Sequence, residues 1–427
     1  MDRNSPAYRN YVEILRRELV CAMGCTEPIA IAYCAAVARA ALGALPEWVR
    51  IESSGNIIKN VKSVVVPNTD GRRGIAAAAA IGILGGDETA GLQVISAVSE
   101  AAKARLGEYL EKTPIETLPA ETDYLLDITV SVGAGGHTAR VRAVQEHTNL
   151  VLIERDGAVL ESRPLPKIDH AAGSAGADPS AMTVEGICEF AATCELDDVR
   201  EVLERQIACN SAIADEGLRG DWGANIGKVL LTQGDDVRTR AKARAAAGSD
   251  ARMNGCELPV VINSGSGNQG MTASLPVIEY ARALGASEDE LLRALLVSNL
   301  VTLHEKTGIG RLSAYCGAVS AGAGAGAGIA WLHGGGYNEV AHTIVNALAI
   351  TSGIVCDGAK SSCAGKIAMA VDAGILGYEM YRAGQQFYGG DGLVRKGVEK
   401  SIESFGRLGR VGMRETDKEI IRMMTDC

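Results

Sequence analysis

Apolar residues recur with the spacing of a helix at the start of the chain. Ile14, Leu15 and Leu19 follow this spacing. An alanine-rich stretch follows Pro28, and proline is favoured in the first turn of a helix. The pattern therefore predicts two helices between residues 8 and 42.

The pattern changes after Val49, where short segments rich in Val and Ile alternate between apolar and polar residues or stay apolar throughout. The predicted strands are VRIES (49–53), SVVVP (63–67), LLDITVSV (125–132), TARVRAV (138–144) and the two halves of LVLIERDGAVLES (150–162). Asp156 and Gly157 favour a hairpin, because both tolerate the positive φ angles of a type I′ turn. One long helix, from Gly74 to about Leu110, is predicted between the strands.

The rest of the chain returns to a helical pattern after a loose segment at 170–180. Glycine-rich breaks interrupt this pattern at 263–270, 308–328 and 353–366. The AGAGAGAG run at 321–328 is compatible with a tightly packed helix and with an irregular turn. Together the patterns predict an α+β fold: a mainly helical domain of residues 1–46 and 172–427, and an inserted α+β domain of residues 47–171.

Composition and charge narrow the class of protein. With 427 residues and 47% hydrophobic side chains, the chain can bury a large core. No apolar run approaches the ~18 residues that cross a bilayer, so we expect a cytoplasmic protein with no membrane partner. The net charge of −10 and the scattered basic residues argue against nucleic acid as a partner. The abundant Ala and Gly on the predicted helices favour a homodimer.

The glycine-rich breaks carry polar side chains that suit a binding site. The first break offers Ser264, Ser266 and Asn268 together with backbone N–H groups, a pattern typical of a carboxylate or phosphate nest. Its GSGNQG sequence fits GxGxxG but lacks the acidic residue and the βαβ context of a dinucleotide site. His304 precedes the second break.

Three cysteines lie in or beside the later breaks. Cys316, Cys356 and Cys363 follow one another at intervals of forty and seven residues. In a reducing cytoplasm a functional thiol is catalytic or metal-binding, and the lack of a CxxC pair disfavours zinc. Three thiolates without a fourth suit a [4Fe–4S] cluster with one open iron that acts as a Lewis acid. The alternative is three buried or incidental cysteines.

A further cysteine stands where one predicted helix ends and the next begins. In CAMGCTEP, residues 21–28, Gly24 interrupts the helical pattern, and Cys25 precedes the helix that contains Pro28. A helix dipole stabilises a thiolate at the helix N-terminus. The alternative for Cys25 is a buried structural thiol.

With these motifs the chain resembles the L-cysteine desulfidases, an oxygen-sensitive iron–sulfur group that includes chains once labelled only as an uncharacterised protein family. The resemblance covers nearly the whole chain and rests on GCTEPIAIAYCAA (24–36), SGNIIKNVKSVVVPNT (54–69), NSGSGNQGMTASLPV (263–277) and the three later cysteines. More distantly, the helical part is similar to the α domain of the iron–sulfur L-serine dehydratases. The resemblance implies that Cys25 accepts a proton and that Cys316, Cys356 and Cys363 hold the cluster.

The implied reaction is β-elimination of L-cysteine to hydrogen sulfide, ammonia and pyruvate in the helical, catalytic domain. It needs a [4Fe–4S] cluster and no pyridoxal phosphate, because the aminoacrylate product breaks down without help. The partner is a small amino-acid substrate, and the residues expected to bind it are Asn56, Lys59, Asn60, Ser264, Ser266, Asn268 and His304.

Two other functions stay open at this point. One is an L-serine or L-threonine dehydratase that uses the same cluster, and the other is a cluster-free protein that binds an amino acid as a regulator. Similarity to the dehydratases also suggests that Cys427 occupies the open iron when substrate is absent. The alternative for Cys427 is an unattached tail thiol.

Overall fold

The computed structural model describes residues 1–166, 177–310 and 312–425. Within them the chain forms sixteen α-helices and eight strands, which confirms the predicted α+β class. The helices are α1 (Pro6–Glu18), α2 (Thr26–Leu42), α3 (Gly55–Val61), α4 (Gly74–Gly85), α5 (Glu100–Lys112), α6 (Val184–Thr193), α7 (Arg200–Arg219), α8 (Ile226–Leu231), α9 (Val237–Met253), α10 (Gly267–Leu284), α11 (Glu288–Ile309), α12 (Gly317–Leu332), α13 (Tyr337–Thr351), α14 (Ser362–Arg382), α15 (Val398–Arg407) and α16 (Arg414–Thr425). The strands are β1 (Cys21–Met23), β2 (Trp48–Ser53), β3 (Ile115–Pro119), β4 (Asp127–Ala134), β5 (His137–Val144), β6 (Leu150–Arg155), β7 (Ala158–Ser162) and β8 (Pro259–Val261). None of the helices in these ranges is long and apolar enough to cross a membrane.

Local sequence signals set several helix boundaries. The Ser5 hydroxyl accepts a hydrogen bond from the Tyr8 N–H at the start of α1. Ser287 and Glu290 form a reciprocal capping box at the start of α11. Pro28 lies in the first turn of α2, as predicted.

The middle of the chain forms a six-stranded mixed sheet in the order β3-β2-β4-β5-β6-β7. β2 runs parallel to β3, and the other neighbouring strands are antiparallel. Asp156 and Gly157, with φ angles of 51° and 79°, form the predicted hairpin between β6 and β7. Ile51, Val130 and Val141 are buried on the face of the sheet that packs against α2.

Helices α12 and α14 lie in backbone contact. The AGAGAGAG run is part of α12, so the helical alternative is correct. A Cβ on Gly374 of α14 would lie 2.0 Å from the carbonyl oxygen of Gly322, and one on Gly326 would lie 2.4 Å from that of Gly374. Because no side chain fits in these distances, only glycine lets the two helices lie so close.

Buried apolar residues form two large clusters. One joins α1 to most of the helices from α6 onward, and the other joins α2, α3, α4 and α5 to the six-stranded sheet. The short antiparallel pair β1–β8 links the beginning of the chain to the helical part. Packing within an apolar cluster does not show which segments of the chain fold independently. The domain boundaries 1–46, 47–171 and 172–427 therefore stay a prediction.

Two predictions about individual elements are wrong, and the strands β1, β3 and β8 and the helix α3 are missed. The helix predicted from Gly74 to Leu110 is two helices, because consecutive glycines at 85 and 86 end α4. The SVVVP segment forms only an isolated bridge at Val65, and its proline has no N–H group for a ladder. β3 escapes prediction because its side chains are half-buried or exposed and show no buried face.

We expect Gly374→Ala to lower the free energy of unfolding by about 1–3 kcal/mol, because the added methyl group would collide with α12. Gly365→Ala is the matched control in the same helix, since nothing lies within 4 Å of its added Cβ. It should be neutral or stabilising by up to ~1 kcal/mol. Thermal unfolding followed by circular dichroism measures both variants. Equal melting temperatures for Gly374→Ala and Gly365→Ala would contradict the close contact between α12 and α14.

Candidate active site

Four helices begin beside one cavity of about 100 Å³. Cys25 directly precedes α2, and Ser266 directly precedes α10. Cys316 directly precedes α12, and Cys363 lies in the first turn of α14. The described lining residues are Cys25, Glu27, Asn60, Arg252, Ser266, Asn268, Gln269, Lys306, Leu312, Ser313, Tyr315, Cys316, Gly317, Ala318, Cys356, Gly358, Ala359, Cys363 and Ile367. The positive ends of four helix dipoles thus lie at a space lined by four thiols.

Main-chain hydrogen bonds set Cys316 beside Cys356. The Cys316 N–H donates to the Ile354 carbonyl at 3.1 Å, and the Cys356 N–H donates to the Ala314 carbonyl at 2.6 Å. The two segments therefore run side by side. Cys363 follows at the start of α14 and lines the same cavity.

The three thiols influence one another. Burial, followed by the neighbouring Cys356, raises the pKa of Cys316 to about 12. Burial and the same neighbour also raise the pKa of Cys363. Such thiols keep their protons unless a cation replaces them, and cysteine thiolates are the ligands of iron–sulfur clusters.

This donor set suits a cluster better than a single ion. Across the described ranges, no three His, Cys, Asp or Glu side chains are grouped as ligands of one metal ion. In a cluster each thiolate binds a different iron atom, so the sulfur atoms need not converge on one point. The chemistry and the shared cavity of Cys316, Cys356 and Cys363 therefore fit the predicted cluster.

Glu27 connects Cys25 to Asn60. The Cys25 thiol donates to Glu27 Oε2 at 3.0 Å, and Asn60 Nδ2 donates to Glu27 Oε1 at 2.9 Å. Burial and then the Glu27 charge raise the pKa of Cys25 well above its usual value. Burial opposes ionisation of Glu27, but nearby His147 and the Cys25 thiol outweigh it and lower the pKa of Glu27. The pair is thus a protonated thiol bound to a carboxylate.

One arginine is buried at the cavity. Arg252 of α9 is 2% exposed, and its Nη1 donates to Asn268 Oδ1 at 3.1 Å. Arg252 Nε and Gln269 Oε1 are buried without a hydrogen-bond partner among the described residues. Arg252 and Gln269 both line the cavity, so it is bordered by residues that each carry a buried polar atom unpaired within the described ranges.

The predicted substrate-binding residues fall into two groups. Asn60, Ser266 and Asn268 line the cavity, whereas Asn56, Lys59, Ser264 and His304 are not among its described lining residues. Lys59 is buried and pairs with Asp417 of α16 at 2.5 Å. His304 Nε2 lies 2.7 Å from Glu399 Oε2 of α15. Substrate binding by the second group stays a prediction, and Cys427 lies outside the described residues.

Comparison with protein families assigns the chain to a known group. The profile of the serine dehydratase alpha chain family matches residues 89–422, more than half of the 427 residues. The chain belongs to this family. The family is of the lyase and dehydratase type and depends on an iron–sulfur cluster. Cys316, Cys356 and Cys363 lie within the matched residues, and Cys25 precedes them.

Several UPF0597 proteins are similar to this chain over nearly its whole length. One from Desulfitobacterium hafniense is 59% identical over 426 residues, covering 99% of this chain and 98% of the relative. One from Lachnoclostridium phytofermentans is 49% identical, covering 98% and 99%. One from Treponema denticola is 44% identical, covering 99% of each. These matches confirm the predicted relation to the iron–sulfur serine dehydratases.

Sequence reasoning gave no role in the site to four polar residues that line the cavity, namely Glu27, Arg252, Ser313 and Tyr315. Arg252 has a recognisable signal, because it follows the alanine-rich, buried part of α9. Glu27 lacks one, since a glutamate in the first turn of a helix also suits the helix dipole.

Glu305 of α11 is buried beside the cavity. Neither of its carboxylate oxygens makes a well-formed hydrogen bond with the described residues. Burial raises the pKa of Glu305 well above its usual value, and the nearby Ser320 hydroxyl only partly offsets this. Burial and then Glu305 raise the pKa of Tyr315, which lines the cavity. Burial therefore favours the protonated form of Glu305.

We expect Glu305→Gln to stabilise the protein relative to the wild type by an amount that grows with pH. The folded-state pKa of Glu305 is raised, so the wild type loses stability as the pH rises from the unfolded-state pKa towards the folded-state pKa. This loss approaches about 1.4 kcal/mol per pH unit, and glutamine has no such proton.

The measurement is the difference in melting temperature between Glu305→Gln and the wild type from about pH 5 to pH 8. Glu403→Gln, at an exposed position, is the control and should show no trend. A difference for Glu305→Gln that does not change with pH would contradict the raised pKa of Glu305.

Proposed function

We propose that this chain is a [4Fe–4S]-dependent L-cysteine desulfidase, which converts L-cysteine to hydrogen sulfide, ammonia and pyruvate. The observation that carries the proposal is a single cavity lined by Cys25, Cys316, Cys356 and Cys363. Three thiols supply the ligands of a cluster with one open iron, and the fourth supplies a group that can accept a proton. Membership of an iron–sulfur lyase family supports this assignment.

Cys316, Cys356 and Cys363 would hold the cluster. When bound, the cluster supplies a Lewis acid that makes the β-substituent of the substrate a better leaving group. Because burial raises the pKa of Cys316 and Cys363, these thiols release protons when they bind it. Lys366 places a positive charge near both thiols and favours their ionised state.

Cys25 must lose its own proton before it can accept one. Its thiol already donates to the Glu27 carboxylate at 3.0 Å, so we assign Glu27 as the first acceptor of that proton. The raised pKa of Cys25 and the lowered pKa of Glu27 make this transfer unfavourable in the free site, so the thiolate is a minor form there. The Cys25 thiolate then takes the α-proton of the substrate. Asn60 holds the other oxygen of Glu27 and keeps the carboxylate oriented. General base catalysis of this kind contributes roughly 10²- to 10⁴-fold.

An amino-acid substrate brings a carboxylate and an ammonium group into the cavity. Arg252 is suited to the carboxylate, because its buried Nε has no partner among the described residues and a guanidinium binds carboxylates in a fixed geometry. Gln269 Oε1, also without such a partner, is suited to accept from the ammonium group. Ser266 and Asn268 lie beside them at the start of α10.

The matched family supports a second candidate, an L-serine or L-threonine dehydratase that uses the same site. The residues that bind the carboxylate and move the α-proton would be the same in both reactions. Only the leaving group differs, which is sulfide in one case and hydroxide in the other. A direct comparison of substrates therefore separates the two candidates.

We expect anaerobically purified protein to contain about four iron and four sulfide ions per chain. Cys356→Ala should remove most of this iron, because one of three ligands is lost. Cys209→Ala is the control, since Cys209 is also half-buried but is not a described lining residue. The measurement is iron and acid-labile sulfide per chain. Wild-type protein that stays iron-free after anaerobic reconstitution would favour the cluster-free, amino-acid-binding alternative.

We expect a higher kcat/KM for L-cysteine than for L-serine in an anaerobic assay of pyruvate formation. Cys25→Ala should lower kcat by about 10²- to 10⁴-fold and leave the iron content unchanged, because Cys25 moves a proton and binds no iron. Cys34→Ala, a buried cysteine of the same helix outside the described cavity lining, should keep its activity. A preference for L-serine would favour the dehydratase. Full activity of Cys25→Ala would exclude the role of Cys25.

A further inference from the structure

A second pair of thiols lies apart from the active-site cavity. The Sγ atoms of Cys21 in β1 and Cys209 in α7 are 3.9 Å apart, and both residues are half-buried. Neither is among the described lining residues of the cavity. A disulfide bond is about 2.05 Å long, so a relative movement of about 2 Å would join the two sulfur atoms.

The surroundings of this pair make its two thiols unequal. The hydrogen bond with Cys209, followed by the charge of Arg205, lowers the pKa of Cys21 to about 6, although burial opposes this. The same hydrogen bond raises the pKa of Cys209. Arg205 precedes Cys209 by one turn of α7, and its Nη2 donates to the Leu19 carbonyl at 3.3 Å. The shared hydrogen bond thus favours a thiolate at Cys21 over one at Cys209.

Other cysteines outside the cavity are in a different state. Burial raises the pKa of Cys34 and of Cys188 to about 12, and both are buried. Reaction with a disulfide requires a thiolate that the disulfide can reach. An accessible thiolate next to a second thiol is typical of cysteines that undergo reversible oxidation.

We infer that Cys21 and Cys209 form a thiol–disulfide exchange site whose substrates are small-molecule disulfides. The Cys21 thiolate attacks one sulfur of a disulfide RSSR, forms a mixed disulfide and releases RS⁻. Cys209 then gives its proton to solvent, attacks Cys21 Sγ and releases the second RS⁻. In sum, two protein thiols are oxidised to one disulfide and RSSR is reduced to two RSH, with transfer of two electrons and two protons.

The pair is connected to the active site through a short ribbon. Cys21 pairs with Val261 in the β1–β8 ladder, and Asn210, which follows Cys209, both donates to and accepts from the main chain of Val261. β1 leads directly to Cys25, and β8 leads to the start of α10. A disulfide between α7 and β1 would therefore act on both segments. The exchange site itself does not depend on the proposed lyase function.

The test treats intact, anaerobically purified protein with bis(2-hydroxyethyl) disulfide and maps the cysteines by mass spectrometry of peptides. Wild-type protein is expected to give a peptide cross-linked between Cys21 and Cys209. Cys209→Ser should stop at a mixed disulfide on Cys21, because the second thiol is absent. Cys21→Ser should react at Cys209 at least tenfold more slowly than the wild type reacts at Cys21. Cys188→Ser is the control and should keep the cross-link.

A measurement without any variant supports the same test. In native wild-type protein, iodoacetamide should modify Cys21 at least tenfold faster than Cys188. Equal rates, or a cross-link from Cys21 to a different cysteine, would overturn the proposal. None of these results depends on iron content or pyruvate formation. The proposal of the exchange site and the proposal of the lyase function are therefore tested independently.

Discussion

The backbone contact between α12 and α14 is the constraint on which the active site depends. Gly322, Gly326 and Gly374 leave no side chain between the two helices, so the helix axes come as close as their main chains permit. Cys316 precedes the first of these helices and Cys363 begins the second. The spacing of the helices therefore sets the spacing of two proposed cluster ligands. A larger residue in the contact would move the thiols as well as the helices.

Two opposing electrostatic effects meet at the cavity. Helix N-termini favour thiolates there, but each contributes only about 0.3–1 kcal/mol. Burial raises the pKa of Cys316 to about 12, which corresponds to several kcal/mol, so burial wins and the thiol stays protonated. A bound cationic centre reverses this balance because it replaces the protons.

Two buried glutamates beside this cavity have opposite charge states. Glu27 accepts hydrogen bonds from Cys25 and Asn60, which favour its ionised form. Glu305 has no comparable donors among the described residues, and burial favours its protonated form. Of these two carboxyl groups, Glu27 is therefore the one whose environment favours the carboxylate form. The difference follows from the partners that each carboxyl group meets, because both are fully buried.

Local pattern was enough to predict the α+β class and most of the strands, since periodicity and turn residues are properties of short segments. The resemblance to an iron–sulfur family, and not the local pattern alone, singled out the four cysteines that line the cavity. Local pattern did not predict which side chains from distant segments of the chain come into contact. Asn60 lines the cavity, but Lys59, its neighbour in the chain, pairs with Asp417 of a distant helix. Cys21 meets Cys209 across 188 residues of sequence. Long-range packing decided these partners, because a buried polar group takes the partner that folding brings within hydrogen-bond distance, and no short segment contains both.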